Sequence, residues 1–340
     1  MNNSRSTHRA AAVVTAGLVL TLATSAAAQA PDLTGTLVVV NKAASSVSII
    51  DVASGLELAV LPTGTGPHEV AISSDGRTAV VTDYGARQPG NSLTVVDVQD
   101  LEVTRTIDLG AHERPHGIAF LPGDERVIVT SEATGSVIVV DVEEGRIDDS
   151  LPTAQAGSHM LALPDPAASI WTSNVRDGTV SEIDVSTGTT ARIIDVPAQP
   201  EAIGVTPDGV EVWVGSNQNG TVSVVDSEDG SVSQALDGFG WPYRVLFTPD
   251  GETALIPDLQ GEELRVVDRE SRSVRHVIPL SGGAPQGVAV TPDGRIAFQS
   301  LSDQARVIFI DLESGEILSH VSTGQGPDGV AYSGIVVGQD

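Results

Sequence analysis

The chain has 340 residues, no cysteine and a formal net charge of −27, with 18 Lys and Arg against 45 Asp and Glu. The missing thiols exclude disulfides and a thiol-anchored lipid. So acidic a surface repels nucleic-acid phosphates and anionic lipid headgroups, so no nucleic-acid partner is expected. It suits a salty medium in which screening weakens self-repulsion, and a halotolerant or halophilic source is expected.

In chain order, the first thirty residues read as a secretory signal peptide. Arg5, His8 and Arg9 precede a small, apolar stretch over 11–28, and Ala28-Gln29-Ala30 fits a small-x-small cleavage site. No twin arginine is present, which favours Sec export, and no charge anchors the far end of the apolar stretch, so no membrane insertion is expected. The expected division is residues 1–30 as signal peptide and 31–340 as one mature domain, periplasmic or secreted.

From there a single unit repeats. An aspartate closes a β-branched run at Asp51, Asp97, Asp141, Asp184, Asp226, Asp268 and Asp311, at intervals of 42 to 46 residues. A period of that size, with only strand-like segments inside it, is the mark of a β-propeller blade. Residues 67–109 show one unit. PHEVAI opens it, Asp75-Gly76 is a hairpin turn, and TAVVTD (78–83), SLTVVD (92–97) and EVTRTIDL (102–109) follow. These are four antiparallel strands, A to D from the channel outward. The A–B turn recurs as Pro-Asp-Gly at 207–209, 249–251 and 292–294. The C–D turn recurs as D-x-x-x-G, except that Leu101 and Arg272 stand where Gly is expected. The seven aspartates therefore read as turn scaffolding away from the channel.

The phase of the repeat sets the closure. The mature chain begins on a strand B (37–41) and ends on a strand A (327–333), so the last strand completes the first blade and removes an open sheet edge. The expectation is an all-β, seven-bladed propeller of four-stranded antiparallel blades, a monomer.

The recurring P-x-x-V-A-x-[ST]-x-D-G-R unit, followed by strands such as VVVN and VVTD, resembles the YVTN or YncE-like seven-bladed propellers, over essentially the whole mature chain. That family and its neighbours include exported binding proteins, lactonases and lyases, so the resemblance implies a fold without choosing an activity. The DNA-binding role known among YncE-like proteins sits badly with the acidic charge.

The repeat places function at the channel mouth formed by the D–A and B–C loops. The residue after the strand-A proline stands there in each blade: His68, His116, His159 (after Ser158 rather than Pro), Glu201, Tyr243, Gln286 and Asp328. The ends of strand B add Asn41, Asp83, Glu132, Asn174, Asn217 and Asp258. Three histidines on consecutive blades, with a carboxylate beside them, suit a divalent transition metal. The candidate ligands are His68, His116, His159 and Glu201. Glu69, Asp83, Glu132, Trp241, Tyr243, Arg244, Gln286 and Asp328 are candidate ligand-binding residues. Trp241 and Tyr243 are read as an aromatic wall beside the Arg244 cation. Residues 83–91 are read as an irregular loop over the histidine side, with Tyr84, Arg87 and Gln88 available for a lid or partner contact. The leading expectation is an exported propeller that binds a metal ion, small ligand or periplasmic protein at this mouth. The alternative is a metal-assisted lactonase or lyase using the same residues. No nucleophile elbow, phosphate loop or compact metal motif supports the alternative.

Overall fold

A computed structural model describes Met1, residues 33–164 and residues 166–338. The signal-peptide assignment and the start of the mature chain lie outside these residues. Seven four-stranded antiparallel sheets follow one another around a ring, each ordered A-B-C-D from the centre. Blade 2 is typical: A is Pro67–Ile72, B is Thr78–Gly85, C is Pro89–Asp97 and D is Glu102–Asp108. Blade 1 takes its B, C and D strands from Thr36–Asn41, Ser46–Asp51 and Glu57–Pro62, and its A strand from Pro327–Ser333 at the other end of the chain. In that closing pair Thr36 faces Ser333 and Val39 faces Val330.

B and C strands are rich in β-branched residues on both faces, because each blade is covered on both sides by a neighbour. The apolar residues accordingly sort into seven clusters among the described residues, one at each blade-to-blade interface. Trp213 and Phe247 meet edge to face, centroids 5.4 Å apart, between blades 5 and 6. Phe298 packs the same way on Phe309, at 4.9 Å, beside the closing strand. Phe247 is thus core.

The turns follow their sequences. In each C–D turn the backbone N–H of the fifth residue donates to the aspartate carbonyl where Gly stands there, as from Gly55 to Asp51 at 2.8 Å. Leu101 and Arg272, the two exceptions to Gly, keep the left-handed backbone at φ 55° and 57°. The blade 2 B–C connection departs from the sequence reading. It is no irregular loop, since strand B runs to Gly85 and strand C starts at Pro89, with Gly85 paired to Pro89. Arg87 and Gln88 sit exposed at its tip, while Tyr84 turns inward.

One backbone irregularity recurs in every blade and decides what fills the channel. In blade 2, Pro67 pairs with Asp83 and Val70 with Val81, so two residues of strand A oppose one of strand B. The same shift occurs at the start of strand A in blades 1, 3, 4, 5 and 7. Blade 6 repeats it between the Pro242–Asp258 bridge and Leu246. This is a β-bulge, which re-aims the side chains it carries. Two consecutive residues per blade, not one, are delivered to the centre.

Candidate functional site

The first bulge position forms a ring that reads, from blade 1 to blade 7, Asp328, His68, His116, His159, Glu201, Tyr243 and Gln286. The second bulge position reads Gly329, Glu69, Gly117, Met160, Ala202, Arg244 and Gly287. Small residues at the second position let neighbouring A strands approach. A Cβ on Gly117 would lie 2.6 Å from the Leu161 backbone nitrogen, and one on Gly287 would lie 2.3 Å from the Asp328 carbonyl oxygen.

The first ring is tightly connected. His68 and His116 have ring centroids 4.0 Å apart, and His116 and His159 are 3.8 Å apart. Acids bracket this histidine arc. Asp328 Oδ2 is 2.8 Å from His68 Nδ1, an ion-pair distance, although the carboxylate lies off the direction a hydrogen bond needs. Glu201 Oε1 is 3.7 Å from His159 Nε2. Tyr243 donates to Asp328 across 3.4 Å. Gln286, half-buried between them, has a side-chain oxygen with no partner.

A second tier leans in from the far end of strand B and the residues just past it. Lys42, the only lysine in the sequence, lies with Nζ 2.7 Å from His68 Nε2 and 3.4 Å from Asp328. Tyr84 sets its edge against both His68 and His116 and donates to Glu132 at 3.0 Å. Glu132 pairs with His159 Nδ1 at 2.5 Å. Asn217 and the Trp241 indole N–H both donate to Glu201.

These contacts change the picture drawn from sequence. The channel mouth on this face is filled. His116 and Asp328 are wholly buried, and His68, Glu201, Tyr243 and Arg244 are nearly so. The expected aromatic wall does not stand open, since Tyr243 is a buried ring member and Trp241 is half-buried on Glu201. Asp83 is occupied by the Gly64 N–H and the Ser92 and Thr94 hydroxyls. It holds the loop before strand A and does not reach the centre. Asn41, Asn174 and Asp258 do similar work in their own turns. Glu132 and Asn217 reach the ring because they lie one residue beyond strand B. Lys42 shares that position, which the sequence reading missed, and Tyr84 holds the equivalent place inside the longer strand B of blade 2. The signal for Lys42 was the isolation of one lysine in a chain so poor in them.

At the second bulge position, Glu69 and Arg244 come from nearly opposite blades and form an ion pair across the channel. Arg244 also donates through Nη1 to the Tyr243 carbonyl at 2.7 Å and lies over the Tyr243 ring. Its Nε is buried with no acceptor.

Burial and neighbours divide the titrations. Burial lowers the His116 pKa well below the ordinary value, and the positive neighbours His159, His68, Arg244 and Lys42 reinforce it, so His116 is neutral. Burial also works against a charged His159, but the hydrogen bonds to Glu132 and Glu201 outweigh it and raise this group to about 9. Burial works against charge on Glu132, Glu201 and Asp328 too, yet their cationic partners hold all three below the usual carboxylate range. Burial and then Glu132 push the Tyr84 phenol up to about 12.

A pH dependence follows. His159 binds its proton more tightly folded than unfolded, so its stabilising contribution is complete below about pH 6.5 and is lost as pH rises through about 9. That contribution is about 3 kcal/mol. Urea unfolding between pH 6.5 and 9.5, in chelator-containing buffer, should show stability falling as pH rises. His159→Gln should flatten that slope, and an unchanged slope in the variant would refute the assignment.

Among the described residues, two overlapping groups bring potential metal-ligating atoms within 4.8 Å of one another: His68, Glu69 and His116, and His116, Glu132 and His159. His116 belongs to both, and its Nδ1 is 3.1 Å from the Met160 sulfur while Nε2 is buried with no partner. The four residues expected as one ligand set are neighbours along the arc, but they do not gather as one such group.

The profile of the YNCE-like beta-propeller family matches residues 11–126 and 137–330. No curated protein sequence matches the chain at a significant level. Among solved structures, a functionally unknown protein from Desulfotomaculum acetoxidans DSM 771 is similar at a TM-score of 0.73 and 15% identity, over 88% of this chain and 99% of that one. Kuenenia stuttgartiensis hydrazine synthase is similar at a TM-score of 0.69 and 18% identity, over 79% of this chain and 90% of that one. Identities this low carry the fold alone.

Proposed function

The chain belongs to the YNCE-like β-propeller family, and within that fold we propose an exported binding protein that holds one divalent transition-metal ion with His68, Glu69 and His116 at the closed centre of the disc. The observation that carries this reading is His116, a wholly buried residue whose Nε2 has no hydrogen-bond partner and which is grouped with His68 and Glu69 at ligand spacing. A buried polar atom left unpaired costs about 1–3 kcal/mol, and a metal ion offers it a bond. Two imidazoles and a carboxylate suit Zn²⁺ or Co²⁺. His159 and Glu201 are the weaker candidates, because Glu132 and Glu201 hold His159 protonated between them. Burial of the ring favours binding over catalysis, since a substrate would have to displace the packed side chains to reach the ion.

The test is uptake by untagged protein after chelator dialysis, read by titration calorimetry with Zn²⁺ and by the visible spectrum of the Co²⁺ form. One equivalent is expected, with affinity falling at least about 100-fold in His116→Ala and less than about 10-fold in His159→Gln. Uptake below a tenth of an equivalent, or undiminished uptake by His116→Ala, would remove the proposal.

A further inference from the structure

The Glu69–Arg244 pair has a second face. Below it, toward the A–B turns, the channel is a cavity of about 630 Å³. Its walls are Leu161, Ile203, Val205, Leu246, Val288 and Val290, its rim includes Pro207 and Pro249, and its floor is Glu69, Arg244 and Met160. This is the face opposite the one the sequence nominated. The size falls within the range of small-molecule sites, and an apolar wall with a few convergent polar groups is their usual make-up.

The floor restricts the ligand. Arg244 uses Nη1 on the Tyr243 carbonyl and Nη2 on Glu69, which leaves the Nε–H without an acceptor although the residue is more than nine-tenths buried. An oxygen acceptor is therefore wanted there. A carboxylate is a poor choice, because the guanidinium charge is already balanced by Glu69 and a second anion would meet that carboxylate in a weakly screened space. We propose that this well binds an uncharged small molecule with an apolar body and one carbonyl oxygen, the Arg244 guanidinium turning so that its covered Nε donates to the oxygen and the body lying against the valine and leucine walls.

The site requires no metal ion, so the test is run with EDTA present. The probes are 2-nonanone and nonanoate, which share a chain length and differ in head group, followed by titration calorimetry. The ketone should bind once, with Kd on the order of 0.1–1 mM for so small a ligand, and nonanoate at least about tenfold more weakly. Val290→Trp, which fills the upper well, should abolish ketone binding with little change in Tm. Arg244→Lys, which keeps the charge opposite Glu69 but removes the Nε donor, should weaken it at least about fivefold. No saturable ketone binding, nonanoate binding as tightly as the ketone, or either variant binding like wild type would each overturn the proposal.

Discussion

A chain ending before Pro327 should not fold to a cooperative native state. Strand Pro327–Ser333 is the inner strand of blade 1, and its loss removes three things together. It takes away the ladder to Thr36–Asn41. It removes Val330 and half-buried Tyr332 from the cluster that includes Leu37, Phe298 and Phe309. It also removes Asp328, leaving His68 and Lys42 without their acid partner. About five net hydrogen bonds near 1 kcal/mol each, with the burial of Val330 and Tyr332, put the loss near 10 kcal/mol. That is comparable to the whole stability of an ordinary domain. The expected result is insoluble or molten protein with no cooperative urea transition. Ending the chain after Ser333 should cost only about 1 kcal/mol, chiefly the Thr36 hydroxyl bond to the Ile335 carbonyl. A chain ending before Pro327 that melts like the full chain would refute closure by this strand.

The next largest effect is expected at the cross-channel pair. Arg244→Met leaves the Glu69 carboxylate buried opposite an apolar side chain, and breaking a buried pair from one side costs about 3–5 kcal/mol. The double variant Glu69→Gln with Arg244→Met removes the stranded charge and should recover at least half of that loss. The double-mutant cycle, measured by urea unfolding at pH 7, should give a coupling of about 2–3 kcal/mol. Additive effects would mean that the two side chains do not interact across the channel in solution. Burial opposes the Arg244 charge, yet Glu69 and the other anions around it raise its pKa, so the cation persists throughout the accessible pH range.

The fold was readable because its signals are local and repeated. Pro-Asp-Gly and D-x-x-x-G turns, β-branched runs and the phase of the first and last strands each constrain topology by themselves. The site was readable only in part. The residue after the strand-A proline is the first bulge position, and contacts link Asp328, His68, His116, His159 and Glu201 along it, with Tyr243 joined to Asp328. The bulge was not readable, since it appears only when strand A is paired with strand B, and it is the bulge that brings Glu69 and Arg244 together. Burial was not readable either. Whether seven inward side chains leave a hole depends on how His68, His116, His159 and Tyr243 stack, a three-dimensional packing question. Asp83 misled for a related reason. An aspartate that caps a loop and one that faces a channel have the same letter, and only the positions of the Gly64, Ser92 and Thr94 donors tell them apart.

The bulge also bears on how such a protein can change over time. Because the irregular pairing belongs to the backbone, the two side chains it presents are released from the alternation that binds every other strand position to an interface. Blade 4 shows the tolerance, with Ser158 where the other blades have proline and the same pairing shift retained. The centre of the disc is thus a set of fourteen addresses, two per blade. Those of Gly117, Gly287 and Gly329 are closed to larger side chains by the backbone beside them, so it is at the other positions that a substitution changes the chemistry of the axis while the surrounding ladders stay in register.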